Sequence, residues 1–157
     1  MQKIHPLLWF NDEAEEATSF YASIFKDSKI LEVSRYGDAG PGPKGEVMMT
    51  VFELQGEKFM ALNMGQPLKN PSTAAFFVDC DTQEEVDYLW EKLSEGGKKD
   101  QCGWLHDKFG TSWNIVPTIL AKLMSDPDPV KSQRVFKAML GMTKLDIAEL
   151  KKAYEQE

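Results

Sequence analysis

The opening of the chain returns 69 residues later, and an internal repeat of this kind restricts the fold more than any composition figure. The stretch "KIHPLLWFNDEAEEATSFYASIF" is echoed by "TAAFFVDCDTQEEVDYLWEKL". At that offset Leu7 and Leu8 align with Phe76 and Phe77, Asp12 with Asp81, and Glu15 and Glu16 with Glu84 and Glu85. Ala17 then falls on Val86, Phe20 on Leu89, Tyr21 on Trp90 and Ile24 on Leu93. Apolar and acidic character match where identity does not, so each half must bury the same pattern.

Within the first half, "IHPLLWF" is a short apolar run ending at "ND", the pattern of a buried strand over 3–10. Alternation places His5, Leu7 and Trp9 on one face and Ile4, Leu8 and Phe10 on the other. From Asp12 the period becomes helical through Ala14, Ala17, Tyr21 and Ile24, with Asp12 as the acidic cap and Glu15 beside the free amides. "KILEVSRYG" alternates as a half-exposed strand, and "EVMMTVFELQGEKFMALN" reads as a hairpin turning at "QGE". In the second half the hairpin "GWLHDKFGTSWNIVP" puts Gly110 where the first has Gly56. The tail differs. "PTILAKLM" reads as a short helix, "SDPDP" breaks it, and 131–142 and 143–157 read as helices, the second started by Thr143-x-x-Asp146. Ile147, Leu150 and Tyr154 form a stripe that needs a partner surface, from this chain or a second copy. The expected organisation is one domain with units at 1–64 and 72–118 and a helical extension at 119–157.

A net charge of −7 argues against nucleic acid or an anionic membrane as partner. No apolar run reaches the length of a bilayer span and no charged-then-apolar leader opens the chain, so the expected location is the cytoplasm. Cys80 and Cys102 could pair, although a chain of 157 residues does not need a disulfide, and no CxxC marks a zinc or redox motif.

Three stretches, "LWFNDEAEEATSFYASIFKDSKI", "GWLHDKFGTSWNIVP" and "SQRVFKAMLGMTKLDIAELKKAY", together with the tandem arrangement, resemble the PhnB-like branch of the vicinal oxygen chelate superfamily. This superfamily includes glyoxalase I, bleomycin-resistance proteins and extradiol dioxygenases. The resemblance implies an α+β fold of two βαβββ units whose sheets curve around a cleft, followed by C-terminal helices. Open sheets of this kind often complete their cup or cover their edges through a second copy, so a homodimer is expected, with the tail helices in or near the interface. Members of the branch often carry the label 3-demethylubiquinone-9 3-methyltransferase, yet no glycine-rich loop follows a strand here to cradle a nucleotide-like cofactor.

In the superfamily the first and last strands of each unit supply one metal ligand apiece. The resemblance puts His5 at the first position, and the repeat places Ala74 (or Thr73 with a one-residue slip), Asn114 and Met60 at the others. A thioether, a methyl group and a neutral amide are poor donors for Ni, Zn, Mn or Fe, so no metal cofactor is expected; the alternative is a divalent metal held through His5. Without a metal, His5 remains a pocket hydrogen-bonding group or base, or a satisfied strand histidine. Asn114 could orient a ligand, Tyr36, Phe52, Phe59, Trp104 and Trp113 could line an aromatic pocket or pack the core, and His106 beside Asp107 could be an orienting pair or an exposed turn. Glu53 is the one strand carboxylate that could reach the cavity, although its place between Phe52 and Leu54 favours the outward face. The favoured function is binding of a small apolar or aromatic molecule through His5, Trp9, Met60, Trp104 and Asn114. Its competitor is a metal-dependent lyase, isomerase or dioxygenase of glyoxalase type.

Overall fold

Leu8 and Phe10 are buried while Leu7 and Trp9 are exposed, so the first strand keeps the alternation that its sequence predicts. The computed structural model describes residues 5–37, 42–65 and 75–156. It separates into two compact units, Met1–Thr73 and Ala74–Glu157.

In the first unit, β1 (Leu7–Phe10) leads to α1 (Ala14–Ile24), then to β2 (Lys29–Arg35), β3 (Val47–Leu54) and β4 (Glu57–Asn63). The sheet order is β1-β4-β3-β2, with β1 parallel to β4 and the other pairs antiparallel. The hairpin between β3 and β4 turns on two residues, Gln55 and Gly56, both at positive φ, and the backbone twist of such a turn matches that of its strands. The buried stripe of α1, Ala14, Ala17, Thr18, Tyr21 and Ile24, packs onto the face carrying Phe52 and Ala61. Inside this layer Thr18 and Thr50 join hydroxyls at 2.7 Å, which satisfies two fully buried polar groups.

Asp12 does not cap α1. The cap position is Glu13, with no side-chain cap bond, and the amide of Ala14 donates instead to Asn63 Oδ1 at 2.9 Å. Asn63 Nδ2 in turn donates to the carbonyls of Val47 and Asp12, so one buried amide from β4 ties the helix start to the first residue of β3 and to the turn after β1. Tyr36 is buried beside it and donates its hydroxyl to the Asn63 carbonyl.

The second unit repeats the order. β5 (Ala75–Cys80), α2 (Gln83–Ser94), β6 (Lys98–Lys99), β7 (Trp104–His106) and β8 (Ser112–Pro117) form a sheet of order β5-β8-β7-β6 with β5 parallel to β8. Here the cap is local: Thr82 caps α2 by accepting from the Glu85 amide, and the Glu85 carboxylate accepts from the Asp81 amide. Cys80 and Cys102 are free thiols, not a disulfide.

Three helices close the chain: α3 (Thr118–Met124), α4 (Pro129–Leu140) and α5 (Ile147–Glu155). The second proline of "SDPDP" does not only break a helix. It opens α4, where its missing N–H costs nothing, and Asp128 accepts from the Val130 amide. Asp146, not Thr143, caps α5 by accepting from the Glu149 amide. The tail stripes find their partner in this unit: Val135, Leu145 and Leu150 are fully buried with Val116, Leu120 and Leu123. Gln83 at the start of α2 clamps the tail, accepting from the Ile147 amide at 2.7 Å and donating to the Leu145 carbonyl.

Candidate functional site

Each sheet buries one face under its helix, and the strand registers define what lines the other, open face, which in the second sheet the tail core covers at Val116. In the first sheet Met60 lies between Leu7 and Val51, and the next row carries Trp9, Leu62 and Met49. Trp9 is 51% exposed and Leu7 42%. Glu53 sits on this face, opposite Lys58, because Phe52 and Leu54 on either side of it point under α1, as the alternation of the strand predicts. His5 precedes β1 by two residues, which sets it in the row of Lys58 and Glu53. Its Nδ1 is sealed from solvent and has no hydrogen-bond partner among the described residues.

In the second sheet Asn114 lies between Phe77 and Trp104. Phe77 is 63% exposed and Trp104 41%, whereas Asn114 is buried between them. The Asn114 Nδ2 donates to the Cys102 carbonyl at 3.1 Å, which leaves Oδ1 as the acceptor that the amide can offer. The neighbouring row holds His106 and Ser112, joined through Nδ1 and Oγ at 2.9 Å.

These registers correct the repeat. Met60 corresponds to Asn114, and their parallel partners are Leu7 and Phe77, so the strands are related by 70 residues. The helices keep the offset of 69, because Ala14 and Gln83 open them. Three residues join β1 to α1 and only two join β5 to α2. Leu8 therefore corresponds to Val78, and His5 to Ala75 rather than to Ala74 or Thr73, which lie outside the described residues. A one-residue slip moves every side chain to the other face, and it hid Phe77 from the sequence reading.

Several aromatic candidates belong to the core. Phe52 is fully buried and stacks on Phe59 at 5.4 Å, and Trp113 lies under α2 against Phe76 at 5.1 Å. Asp107 is buried too. Its Oδ2 accepts the Trp113 indole N–H at 2.9 Å, and its Oδ1 accepts the amides of Phe109 and Thr111. It does not sit in an exposed turn. Cys80 is no nucleophile, since burial together with Glu85, Asp79 and Asp81 pushes its thiol up to about 12.

The donors suit a catalytic metal badly. On the first open face His5 has a thioether at Met60, and the ammonium of Lys58 occupies the strand between it and Glu53. On the second, the equivalent positions are a methyl group at Ala75 and the neutral amide of Asn114. Among the described residues no group of three or more His, Cys, Asp or Glu side chains could hold a metal ion. An anionic cofactor fares no better at either strand-to-helix turn, where Asp12 and Glu13 or Asp81 would meet it and no glycine opens the backbone.

A family model described as 3-demethylubiquinone-9 3-methyltransferase matches residues 2–116. The chain belongs to this family. The PhnB protein of Bacillus cereus is 35% identical, with 74% of this chain and all of that one covered at a TM-score of 0.69. Protein PA1353 of Pseudomonas aeruginosa is 23% identical over 74% of this chain and 98% of that one, with a TM-score of 0.63. The fosfomycin resistance protein FosX of Listeria monocytogenes shares the fold at 16% identity and a TM-score of 0.54, covering 77% and 94% of the two chains. No curated protein matches. The PhnB-like chain is thus a vicinal oxygen chelate protein of glyoxalase/bleomycin-resistance-like fold. Among its described residues no helix is long and apolar enough to cross a membrane.

Proposed function

We propose that this PhnB-like protein binds a small apolar or aromatic molecule on the open faces of its sheets, without a catalytic metal and without methyl transfer. One observation carries the reading. Phe77 and Trp104 are large apolar side chains left exposed in register on either side of the Asn114 amide, and on the first sheet Leu7 and Trp9 are likewise exposed beside Met60 and Leu62, the composition of a ligand site rather than of a solvated sheet face. In this reading aromatic faces stack on the ligand; on the first sheet Met60 adapts to its outline, and on the second Asn114 Oδ1 accepts from a ligand hydroxyl or N–H. His5 is the second polar group of this reading, and its sealed, unpartnered Nδ1 must be uncovered for a ligand to reach it.

Tryptophan fluorescence tests this, because Trp9 and Trp104 are exposed while Trp90 and Trp113 are buried. Titration with 1-naphthol should quench saturably, and Asn114→Ala should weaken affinity about tenfold, the equivalent of one hydrogen bond. Quenching that never saturates, or an Asn114→Ala protein that binds as the parent does, would count against the site.

A second reading, a metal-dependent enzyme of glyoxalase type, rests on that same His5 nitrogen; a FosX structure from Listeria monocytogenes is described as complexed with Mn(II) and sulfate ion. Plasma mass spectrometry after dialysis against Ni, Zn, Mn and Fe separates the two. Near-stoichiometric metal that vanishes in His5→Ala would make this reading the leader. We further propose a homodimer, since Leu31 and Val33 are exposed on the edge strand β2; a monomer mass in light scattering would refute it.

A further inference from the structure

The open face of the second sheet is graded in charge along its strands, with the aromatic row in the middle. On one side of Trp104, Asn114 and Phe77 lies a row made by the pairing of Lys98 with His106, His106 with Ser112 and Ser112 with Ala75. On the other side, the exposed Asp79 pairs with Val116. A cation and an imidazole–hydroxyl pair therefore stand at one end of the face and a carboxylate at the other. Successive rows on one face are about 6–7 Å apart, close to the length of a benzoate ion. Phe77 and Trp104 flank Asn114 from two strand spacings apart, about 10 Å, which leaves room for one ring above the smaller amide.

The bond of 2.9 Å between His106 Nδ1 and Ser112 Oγ uses one of the two hydrogens that the neutral pair owns. With Ser112 as donor, His106 Nε2 keeps the ring proton; with Nδ1 as donor, the hydroxyl hydrogen is left over. Either tautomer leaves the pair one donor to give, and both residues are only half-buried.

Lysines on a short edge strand have a plain use, since they discourage pairing with another chain. That accounts for Lys99, which faces α2 and meets Glu91 at 3.1 Å. Lys98 stands on the opposite face, and among the described residues it has no ion pair. Edge protection does not call for a hydrogen-bonded histidine and serine beside that lysine, nor for exposed Trp104 and Phe77 one row away.

We infer that the open face of the second sheet takes an aromatic carboxylate, with its ring over Asn114 and its carboxylate at Lys98 and the His106–Ser112 pair. This names the ligand class of the site proposed above and rests on that reading. One cation and one neutral donor match a single negative charge, whereas a phosphate dianion would be left half neutralised. Asp79 repels the carboxylate from the opposite end and so sets the direction of the ring.

The probes are 1-naphthoate and 1-naphthamide, alike in shape and different in charge, titrated into the full-length, nitrogen-15-labelled chain at low ionic strength. Both should shift the Trp104 indole N–H and the Asn114 side-chain signals saturably. The carboxylate should bind about fivefold more tightly, the scale of one exposed ion pair. Lys98→Glu should abolish or reverse that preference, and its place on an exposed two-residue strand spares the fold. His106→Phe, which keeps a ring but has no N–H, should reduce the preference. Equal affinities for the two probes, or a preference that Lys98→Glu leaves intact, would overturn the carboxylate assignment and leave the aromatic site standing. A Trp104 signal that neither probe moves would sink the open-face reading and this assignment with it.

Discussion

Asn63 is the residue on which most of the first unit's polar order depends. It accepts from the Ala14 amide and donates to the carbonyls of Val47 and Asp12, and it is buried. Asn63→Ala removes all three bonds at once, and urea unfolding should show a loss of about 2–4 kcal/mol. The sequence does not mark this residue, since a helix cap that arrives 49 positions later along the chain has no local signature. The thiols make an equally direct prediction. Cys80 is buried with its thiol raised to about 12, and Cys102 is partly exposed at a turn. At pH 8 a disulfide-exchange reagent should label Cys102 in the folded protein and Cys80 only after denaturation.

Between elements, the tail is held to α2 by Gln83 and by the Lys144–Asp87 ion pair at 2.7 Å. The Lys144 ammonium, then the Gln83 amide, hold the Asp87 carboxyl below its ordinary value of 3.8. A depressed carboxylate stabilises the fold above its unfolded pKa, and the contribution is lost as pH falls through the lower, folded value. Both partners are substantially exposed, so the effect is modest and screened by salt. The protection factors of the α5 amides should therefore fall below about pH 4 at low salt, and Asp87→Asn should bring the same fall at neutral pH. The loop before β7 is a stiffer link. The amides of Cys102 and Gly103 donate to the carbonyls of Met142 and Thr143, while the Cys102 carbonyl holds the Asn114 amide. Gly103 lies at φ +80, and a Cβ there would come within 2.7 Å of the Ile115 carbonyl. Gly103→Ala should thus loosen the tail turn and Asn114 together, seen as lost exchange protection at both.

For the molecule as a whole, the helical tail completes a core. Leu150 is fully buried with Val116, which belongs to β8, so Leu150→Ala should cost about 2–5 kcal/mol by thermal or urea unfolding. Truncation before Thr118 should strip exchange protection from β8 while leaving β3 and β4 protected, because the contacts of those strands lie within the first unit. Local chemistry sufficed for much of this architecture. Alternation in "LLWF", the helical stripe from Ala14 to Ile24, the turn at Gln55-Gly56 and the recurrence of the whole pattern determined two α+β units followed by helices, since each is a periodicity set by backbone geometry. What the sequence could not decide was register. Phe76 and Phe77 are equally apolar, so no pattern says which belongs with Leu7; the pairing of Phe77 with Asn114 does, through hydrogen bonds to a strand far along the chain. That pairing puts Phe77 rather than Phe76 beside Asn114, because a face is assigned by partners and not by neighbours.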